Sequence, residues 1–247
     1  GRKDIMYLQV FFPTMKAMRR ATYSTSLGQF HEDKVPYDTK FMDEANLTPS
    51  GWVCVLGRPT NTKSIISHCV HEIECTTQAL QPMERLDVAP MLVAFMDIEC
   101  VSDNLGFPDA EQVNDQVVQI GVNYWRVGQP KEAAVKVLYV TPSYCGPVDG
   151  AYVVRFESER DMLSGWRSSC LVDCDVDVIA HYNGFGFDMP YLFRRAEMLN
   201  VDDFFYFDRV ITRKCRTFKK DLSSGGLGDN ELFLVDTFGR TSIDIFY

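Results

Sequence analysis

The chain has 247 residues, 46% of them apolar, which is enough to bury a substantial core in one large or two smaller domains. Its 25 basic and 34 acidic residues give a formal net charge of −9, which argues against binding nucleic acid through a broad positive field. Eight cysteines without a Cys-x-x-Cys pair, no bilayer-length apolar stretch and no leader pattern favour a soluble intracellular protein in a reducing compartment.

The first 90 residues predict a small α+β domain. Ile5–Phe12 is rich in β-forming residues and predicts a strand, Pro13 is placed to open a helix, and Gly51–Leu56 predicts another short strand. The segment 81–90 begins and ends near prolines and is typical of a connector between domains. We therefore expect one domain over residues 1–90 and a second over residues 91–247.

The second region predicts an α/β fold in which helices cover a mixed sheet. Strands are expected at 91–98, 116–125, 134–140, 152–156 and 176–181, helices at 159–170 and 188–200, a turn at 183–186, and a hairpin within 213–235. The last residues, 241–247, alternate like a strand and lack a polar tail. Together with the initial Gly1, this ending leads us to expect a fragment of a longer protein.

Two acidic residues, Asp97 and Glu99, follow the apolar run 91–96 at the end of a predicted strand. They are two residues apart and therefore share one face of the sheet. Adjacent carboxylates without a basic residue between them repel each other, and a divalent cation offsets that repulsion. Mg²⁺ or Mn²⁺ fits oxygen ligands best, so the pair predicts a metal site.

Asp188 follows the Asn183–Phe187 turn at the expected carboxyl edge of the same sheet, where it can meet Asp97 and Glu99. Three converging acids suit a two-metal phosphodiesterase, and the turn's amide and aromatic side chains suit a single strand. The structural alternatives are that Asp188 only caps the N-terminus of a helix, and that the turn residues only form an ordinary turn with a buried Phe. We interpret His181 as a hydrogen-bonded structural residue, and the acidic stretches 157–161 and 173–177 as solvated residues at the starts of a helix and a strand rather than as metal ligands. The basic stretch 209–220 stays open between phosphate contacts and a solvated loop.

The segments 95–100 and 181–192 resemble the first two exonuclease motifs of family B DNA polymerases, and the delta-type replicative polymerases fit best. The likeness extends over 115–120, 187–201 and 239–244, and more loosely over 7–13. The resemblance implies a ribonuclease H-like 3′-to-5′ proofreading exonuclease that binds two Mg²⁺ or Mn²⁺ ions through Asp97, Glu99 and Asp188. It also implies that Asn183 and Phe187 hold the terminal nucleotides of a DNA primer.

The same resemblance implies further features of this protein. The hairpin 219–234 looks like the family's β-hairpin, which helps move a mispaired primer end to the exonuclease site. Replication accessory subunits and a sliding clamp are partners that regions outside this chain would contact, and no membrane is involved. The expected location is the nucleus, or the replication site of a host cell if the source is a large DNA virus.

Two departures from the family pattern keep alternatives open. The family's third exonuclease motif, Tyr-x-x-x-Asp with the fourth metal-binding acid as its last residue, and the polymerase motifs are not found in these 247 residues. A stand-alone 3′-to-5′ exonuclease, acting on DNA or RNA, would share the metal chemistry. A non-catalytic exonuclease-like scaffold would bind nucleic acid or partner subunits without it.

Without the fourth acid, we expect the chain to hydrolyse single-stranded DNA weakly or not at all. The measurement is release of nucleotides from a labelled oligonucleotide in Mg²⁺. Brisk trimming from the 3′ end that is abolished by Asp97→Ala would contradict this expectation.

Overall fold

The protein is seen in a computed structural model that describes residues 6–23, 28–103, 106–141, 145–226 and 228–247. The chain divides into two compact units, Gly1–Arg58 with Ile73–Arg85 and Pro59–Glu72 with Leu86–Tyr247. Within the described ranges, no helix has both the length and the apolar character that crossing a membrane requires.

The smaller unit contains short helices and strands. Its first helix begins where Thr14 accepts a hydrogen bond from the main-chain nitrogen of Ala17 at 3.1 Å, one residue after the proline that predicted it. Helix α2 follows a proline and was not predicted. The elements along this part of the chain are α1, Met15–Thr22; α2, Tyr37–Glu44; β1, Trp52–Val55; β2, Arg58–Pro59; β3, Ile73–Glu74; and β4, Leu80–Met83. β1 and β4 pair antiparallel, which confirms the strand predicted at 51–56.

The strand predicted at Ile5–Phe12 is wrong over residues 6–12, which form neither helix nor strand, while Ile5 lies outside the described residues. Met6 and Leu8 are 97% and 89% exposed. A β-rich composition produces a strand only where a neighbouring strand accepts its hydrogen bonds, and no described strand pairs with this segment.

The larger unit contains the predicted strands and helices with small shifts at their ends. The elements are β5, Leu92–Cys100; β6, Val117–Arg126; β7, Val135–Val140; β8, Ala151–Arg155; α3, Glu159–Arg167; β9, Val178–His181; α4, Asp188–Met198; β10, Arg216–Ser224; β11, Gly228–Asp236; and β12, Thr241–Asp244. A π-helical segment, Ser168–Asp173, continues α3. The hairpin of β10 and β11 confirms the predicted one, although residue 227 at its tip lies outside the described residues.

In the described part of this unit, six strands form one sheet in the order β12-β9-β5-β6-β7-β8. β5 lies near the centre, antiparallel to β6 and parallel to β9, and β12 is parallel to β9. β6 and β7 are antiparallel, whereas β7 and β8 are parallel. The chain therefore has the mixed α/β architecture that the sequence predicts, with β5 and β9 ending at the same edge.

Strand β5 has one covered and one open face at its carboxyl end. Ala94, Met96 and Ile98 are buried in the core that includes residues of α3 and α4, whereas Asp97 and Glu99 on the opposite face are exposed. This alternation follows from the two-residue period of a strand. It presents both carboxylates on the uncovered face.

A buried ion pair joins α3, α4 and the start of β6. Glu159 and Arg195 are 5% and 1% exposed, and Arg195 Nη2 approaches Glu159 Oε2 at 2.5 Å. Glu159 Oε1 also accepts a hydrogen bond from the nitrogen of Val117 at 2.9 Å, and Arg195 donates to the carbonyl of Gln112 at 2.6 Å. The interpretation of Glu159 as a solvated residue at a helix start is therefore wrong, because its charge is compensated in the interior.

Glu159→Ala should lower the free energy of unfolding by about 3–5 kcal/mol, since it leaves the Arg195 guanidinium buried without its counter-charge. Urea unfolding followed by circular dichroism measures this loss. Glu197→Ala, which removes an exposed partner of the neighbouring Arg194, is the matched control and should change stability by less than about 1 kcal/mol. Equal losses in the two variants would contradict the structural role given to the buried pair.

Candidate acidic active site

Two of the predicted acidic residues meet at the carboxyl end of β5. Helix α4 begins at Asp188, a residue that is 3% exposed and accepts a hydrogen bond at Oδ1 from the nitrogen of Ile98 at 3.1 Å. The helix is preceded by Phe187, and no side chain caps its first turn. The N-cap alternative for Asp188 is therefore wrong, and its carboxylate lies beside the strand that carries Asp97.

The electrostatics of the site show that these carboxylates interact. Burial, followed by the negative charge of Asp97, raises the pKa of Asp188 to about 7. The amide of Ile98 opposes this shift but does not cancel it. The charge of Asp97 thus disfavours the ionised form of Asp188, and a bound cation would relieve that repulsion.

The donor set fits a hard divalent cation because Asp97 and Asp188 supply carboxylate oxygens without soft ligands. Glu99 lies two residues beyond Asp97 on the same exposed face of β5. Within the described residues, no group of three His, Cys, Asp or Glu side chains is arranged as a complete cation site. The structure thus brings Asp97 and Asp188 together, and it does not bring Glu99 into a three-ligand group.

A groove of about 460 Å³ lies along the open face of the sheet beside these acids. Asp97 and Glu99 line it, and Gly121 stands directly opposite Asp97 on β6. Because glycine has no side chain, the groove stays open next to Asp97. Lys136 supplies a positive charge farther along the groove.

The predicted turn connects β9 to α4 and positions Asn183. This residue has a positive φ of 60°, a conformation that asparagine tolerates better than most residues. Its carbonyl accepts hydrogen bonds from the nitrogens of Gly186 and Phe187 at 3.1 and 2.9 Å. A Cβ on Gly184 would come within 2.4 Å of His181, so only glycine fits there.

Phe187 lies at the end of the turn and is partly buried. Its ring contacts Tyr191 of α4 and Phe107 of the β5–β6 loop, with centroid distances of 5.3 and 5.0 Å. The Phe107 ring is itself 78% exposed. The structure therefore places a partly buried ring, Phe187, and an exposed one, Phe107, close to the start of the helix that carries Asp188.

His181 has a structural contact, as the sequence interpretation expected. Its Nε2 lies 3.2 Å from the Ser242 hydroxyl, and burial lowers its pKa to about 4 despite the opposing charges of Asp244 and Asp97. Nδ1 has no hydrogen-bond partner among the described residues. We keep this residue outside the proposed catalytic group.

Two contacts around the turn were not predicted. Asp244 of β12 accepts hydrogen bonds from main-chain nitrogens of the turn, and the nitrogen of Phe233 in β11 donates to the carbonyl of Phe185 at 2.9 Å. The only sequence signal was the position of Asp244 in a segment that resembles the polymerase family. Pairing β12 with β9 brings this residue beside the turn.

Comparison with known proteins identifies the family. Residues 29–247 match the family described as "DNA polymerase family B, exonuclease domain". The chain belongs to this family of DNA polymerase exonuclease domains. Its fold is also similar to that of the family B DNA polymerase from the hyperthermophilic archaeon Pyrobaculum calidifontis, with a TM-score of 0.60 and 21% identity over 94% of this chain and 24% of that one.

Several family B relatives are similar over nearly the whole chain. The DNA polymerase delta catalytic subunit of Oryza sativa subsp. japonica is 31% identical over 98% of the chain, which spans 23% of that protein. The corresponding Plasmodium falciparum subunit is 26% identical over 100% of the chain and 24% of its own length. A DNA polymerase of Paramecium bursaria Chlorella virus NY2A is 29% identical over 99% of the chain and 27% of that protein's length. The chain therefore spans about a quarter of these relatives.

The raised pKa of Asp188 predicts a pH-dependent stability difference between the metal-free protein and Asp188→Asn. A carboxyl with a pKa near 7 in the folded state, against 3.8 normally, contributes stability below pH 4 that is lost as the pH rises to about 7. The variant should therefore gain stability relative to the wild type by about 2–4 kcal/mol between pH 4 and 8. Urea unfolding in EDTA measures this difference.

The wild type and Asp188→Asn must be compared at each pH, because His181 changes the stability with pH in the direction opposite to Asp188. Its lowered pKa costs stability as the pH falls from about 6.5 to about 4, and this effect is common to both proteins. A stability difference that does not change with pH would contradict the raised pKa of Asp188, to which burial contributes most and the charge of Asp97 next.

Proposed function

We propose that this chain carries the 3′-to-5′ proofreading exonuclease of a delta-like family B DNA polymerase, acting in DNA replication. The observation that carries the proposal is the meeting of Asp97 and Asp188 at the carboxyl edge of the sheet, in a chain of the exonuclease-domain family. The proposed fold is ribonuclease H-like, with an amino-terminal domain over residues 1–90 and the exonuclease domain over residues 91–247.

Asp97, Glu99 and Asp188 are the proposed ligands of two Mg²⁺ or Mn²⁺ ions. When bound, such ions supply a water of lowered pKa as nucleophile and offset the charge on the leaving oxygen. The buried Asp188 carboxylate is oriented by the Ile98 amide, while Asp97 and Glu99 would hold the ions from the exposed face of β5. Glu99 would complete the set by a change of side-chain conformation, which its exposure permits.

The proposed substrate is the single-stranded 3′ end of a DNA primer. The Tyr247 hydroxyl donates to Asn183 Oδ1 at 3.0 Å, which leaves the amide NH₂ available as a donor to the nucleotide. The ring of Phe187 offers an aromatic surface of the kind on which unpaired bases stack. These two side chains would hold the terminal nucleotides while the acids act on the last phosphodiester.

The wider role follows from the relatives and is also a proposal. The polymerase activity would belong to regions that this chain does not include, since it spans about a quarter of the delta catalytic subunits. Accessory subunits and a sliding clamp would contact those regions. The nucleus, or a viral replication site in the host cell, is the proposed location.

Mn²⁺ binding tests the proposal. We expect the wild-type chain to bind Mn²⁺ saturably, and Asp97→Asn and Asp188→Asn each to weaken binding at least tenfold, because each removes a carboxylate ligand. Electron paramagnetic resonance of free Mn²⁺ measures the binding. Asp202→Asn, at a carboxylate with 91% side-chain exposure, is the control and should bind normally.

A wild-type chain that shows no saturable Mn²⁺ binding would contradict the proposal and favour a non-catalytic scaffold. Unchanged binding in both site variants would place any bound ion elsewhere. Hydrolysis of a 3′-labelled oligonucleotide in Mn²⁺ gives the second measurement, and any activity should disappear in both variants.

A further inference from the structure

Asp244 is a buried carboxylate at the end of β12 that contacts the turn between β9 and α4. It is 8% exposed, and its Oδ1 and Oδ2 accept hydrogen bonds from the nitrogens of Asn183 and Phe185, both at 2.8 Å. Oδ1 accepts a third bond, from the nitrogen of Phe246, at 3.0 Å. Both carboxylate oxygens are therefore committed to main-chain donors.

This arrangement distinguishes Asp244 from a metal ligand. Hydrogen bonds to an ionised carboxylate are among the stronger ones in proteins, and coordinating a cation would require breaking some of them. Among the described residues, in contrast, Asp188 accepts one main-chain bond from outside its own helix. The geometry therefore argues against a metal-binding role for Asp244.

The hydrogen bonds of Asp244 fix the part of the turn that carries Asn183. The main chain of Asn183 is held in its left-handed conformation by Asp244 on one side and by the nitrogens of Gly186 and Phe187 on the other. The residue after β12 adds another bond, because the nitrogen of Ile245 donates to the carbonyl of His181 at 3.0 Å. We call the hydrogen bonds that join Asp244 and Ile245 to residues 181–185 the clamp.

Asp188 has supports that do not involve Asp244, although the nitrogen of the next residue, Met189, donates to the carbonyl of Gly184 in the turn at 2.8 Å. Its carboxylate is oriented by Ile98 of β5, and its main chain belongs to α4, whose buried face packs in the core. Loosening the turn should therefore move Asn183 and Phe187 while leaving the pair of Asp97 and Asp188 in place.

We propose that Asp244 is a positioning residue that holds Asn183 and Phe187 in the conformation that binds the DNA end, without contacting a metal ion. This inference rests on the proposed exonuclease function for its substrate. In Asp244→Asn the amide NH₂ would face a main-chain N–H that needs an acceptor, so at least one of the three bonds is lost.

The test separates the clamp, the DNA contact and the metal contact by three measurements on Asp244→Asn. Hydrogen exchange at the Asn183 and Phe185 amides should become at least tenfold faster. Affinity for a labelled single-stranded oligonucleotide, measured by fluorescence anisotropy in Ca²⁺, should fall at least tenfold. Mn²⁺ affinity should stay within twofold of the wild type.

Asp177→Asn is the matched control, because Asp177, the residue just before β9, also has a carboxylate that accepts a main-chain bond, from Leu92 at 2.7 Å. It should leave oligonucleotide affinity unchanged even if it lowers stability. Tyr247→Phe, which removes the hydroxyl bonded to Asn183, should weaken oligonucleotide binding less than Asp244→Asn.

Unchanged amide exchange or oligonucleotide affinity in Asp244→Asn would overturn the inference. A loss of Mn²⁺ binding as large as that in Asp97→Asn would also overturn it, by making Asp244 a ligand. The proposed function fails separately, through absent Mn²⁺ binding in the wild type, whereas amide exchange tests the clamp in either case.

Discussion

The hydrogen bond from Ile98 to Asp188 is the contact on which the candidate site depends. It joins the central strand β5 to the first residue of α4 and holds a buried carboxylate next to Asp97. An isolated carboxylate in this position would be neutralised or displaced, because burial disfavours its charge. The fold therefore keeps the Asp188 carboxylate buried beside the negative charge of Asp97 at one edge of its sheet. Carboxyl groups with such perturbed pKa values concentrate at functional sites.

Different elements around this contact support different residues of the candidate site. The buried face of β5 packs in the core, so the strand is rigid where its other face carries Asp97 and Glu99. The ion pair of Glu159 and Arg195 fixes α4 against the start of β6. β12, at the edge of the sheet, brings Asp244 to the turn. The side chains proposed to bind the DNA end and those proposed to bind metal ions thus have different main supports in the fold.

Local patterns in the sequence predicted most of the larger unit, because its strands and helices have clear periodicity and bounding turns. They did not predict the contacts that depend on chain segments far apart. Glu159 has the pattern of an exposed helix start, and only its meeting with Arg195 shows that it is buried. The segment 6–12 has the composition of a strand but lacks a pairing partner among the described residues. Asp97, Asp188 and Asn183 were recognisable as a motif, whereas the Ile98 and Asp244 hydrogen bonds were not.

The central claim is that Asp97 and Asp188 share a divalent cation. The most direct measurement is X-ray diffraction from crystals containing Mn²⁺, with anomalous data collected near the manganese absorption edge. The account predicts an anomalous peak between the two carboxylates, with oxygens of both at about 2.1 Å, typical of small divalent cations, and with Asp244 still bonded to the turn. A saturated crystal with no peak there, or with the ion bound by Asp244, would contradict it.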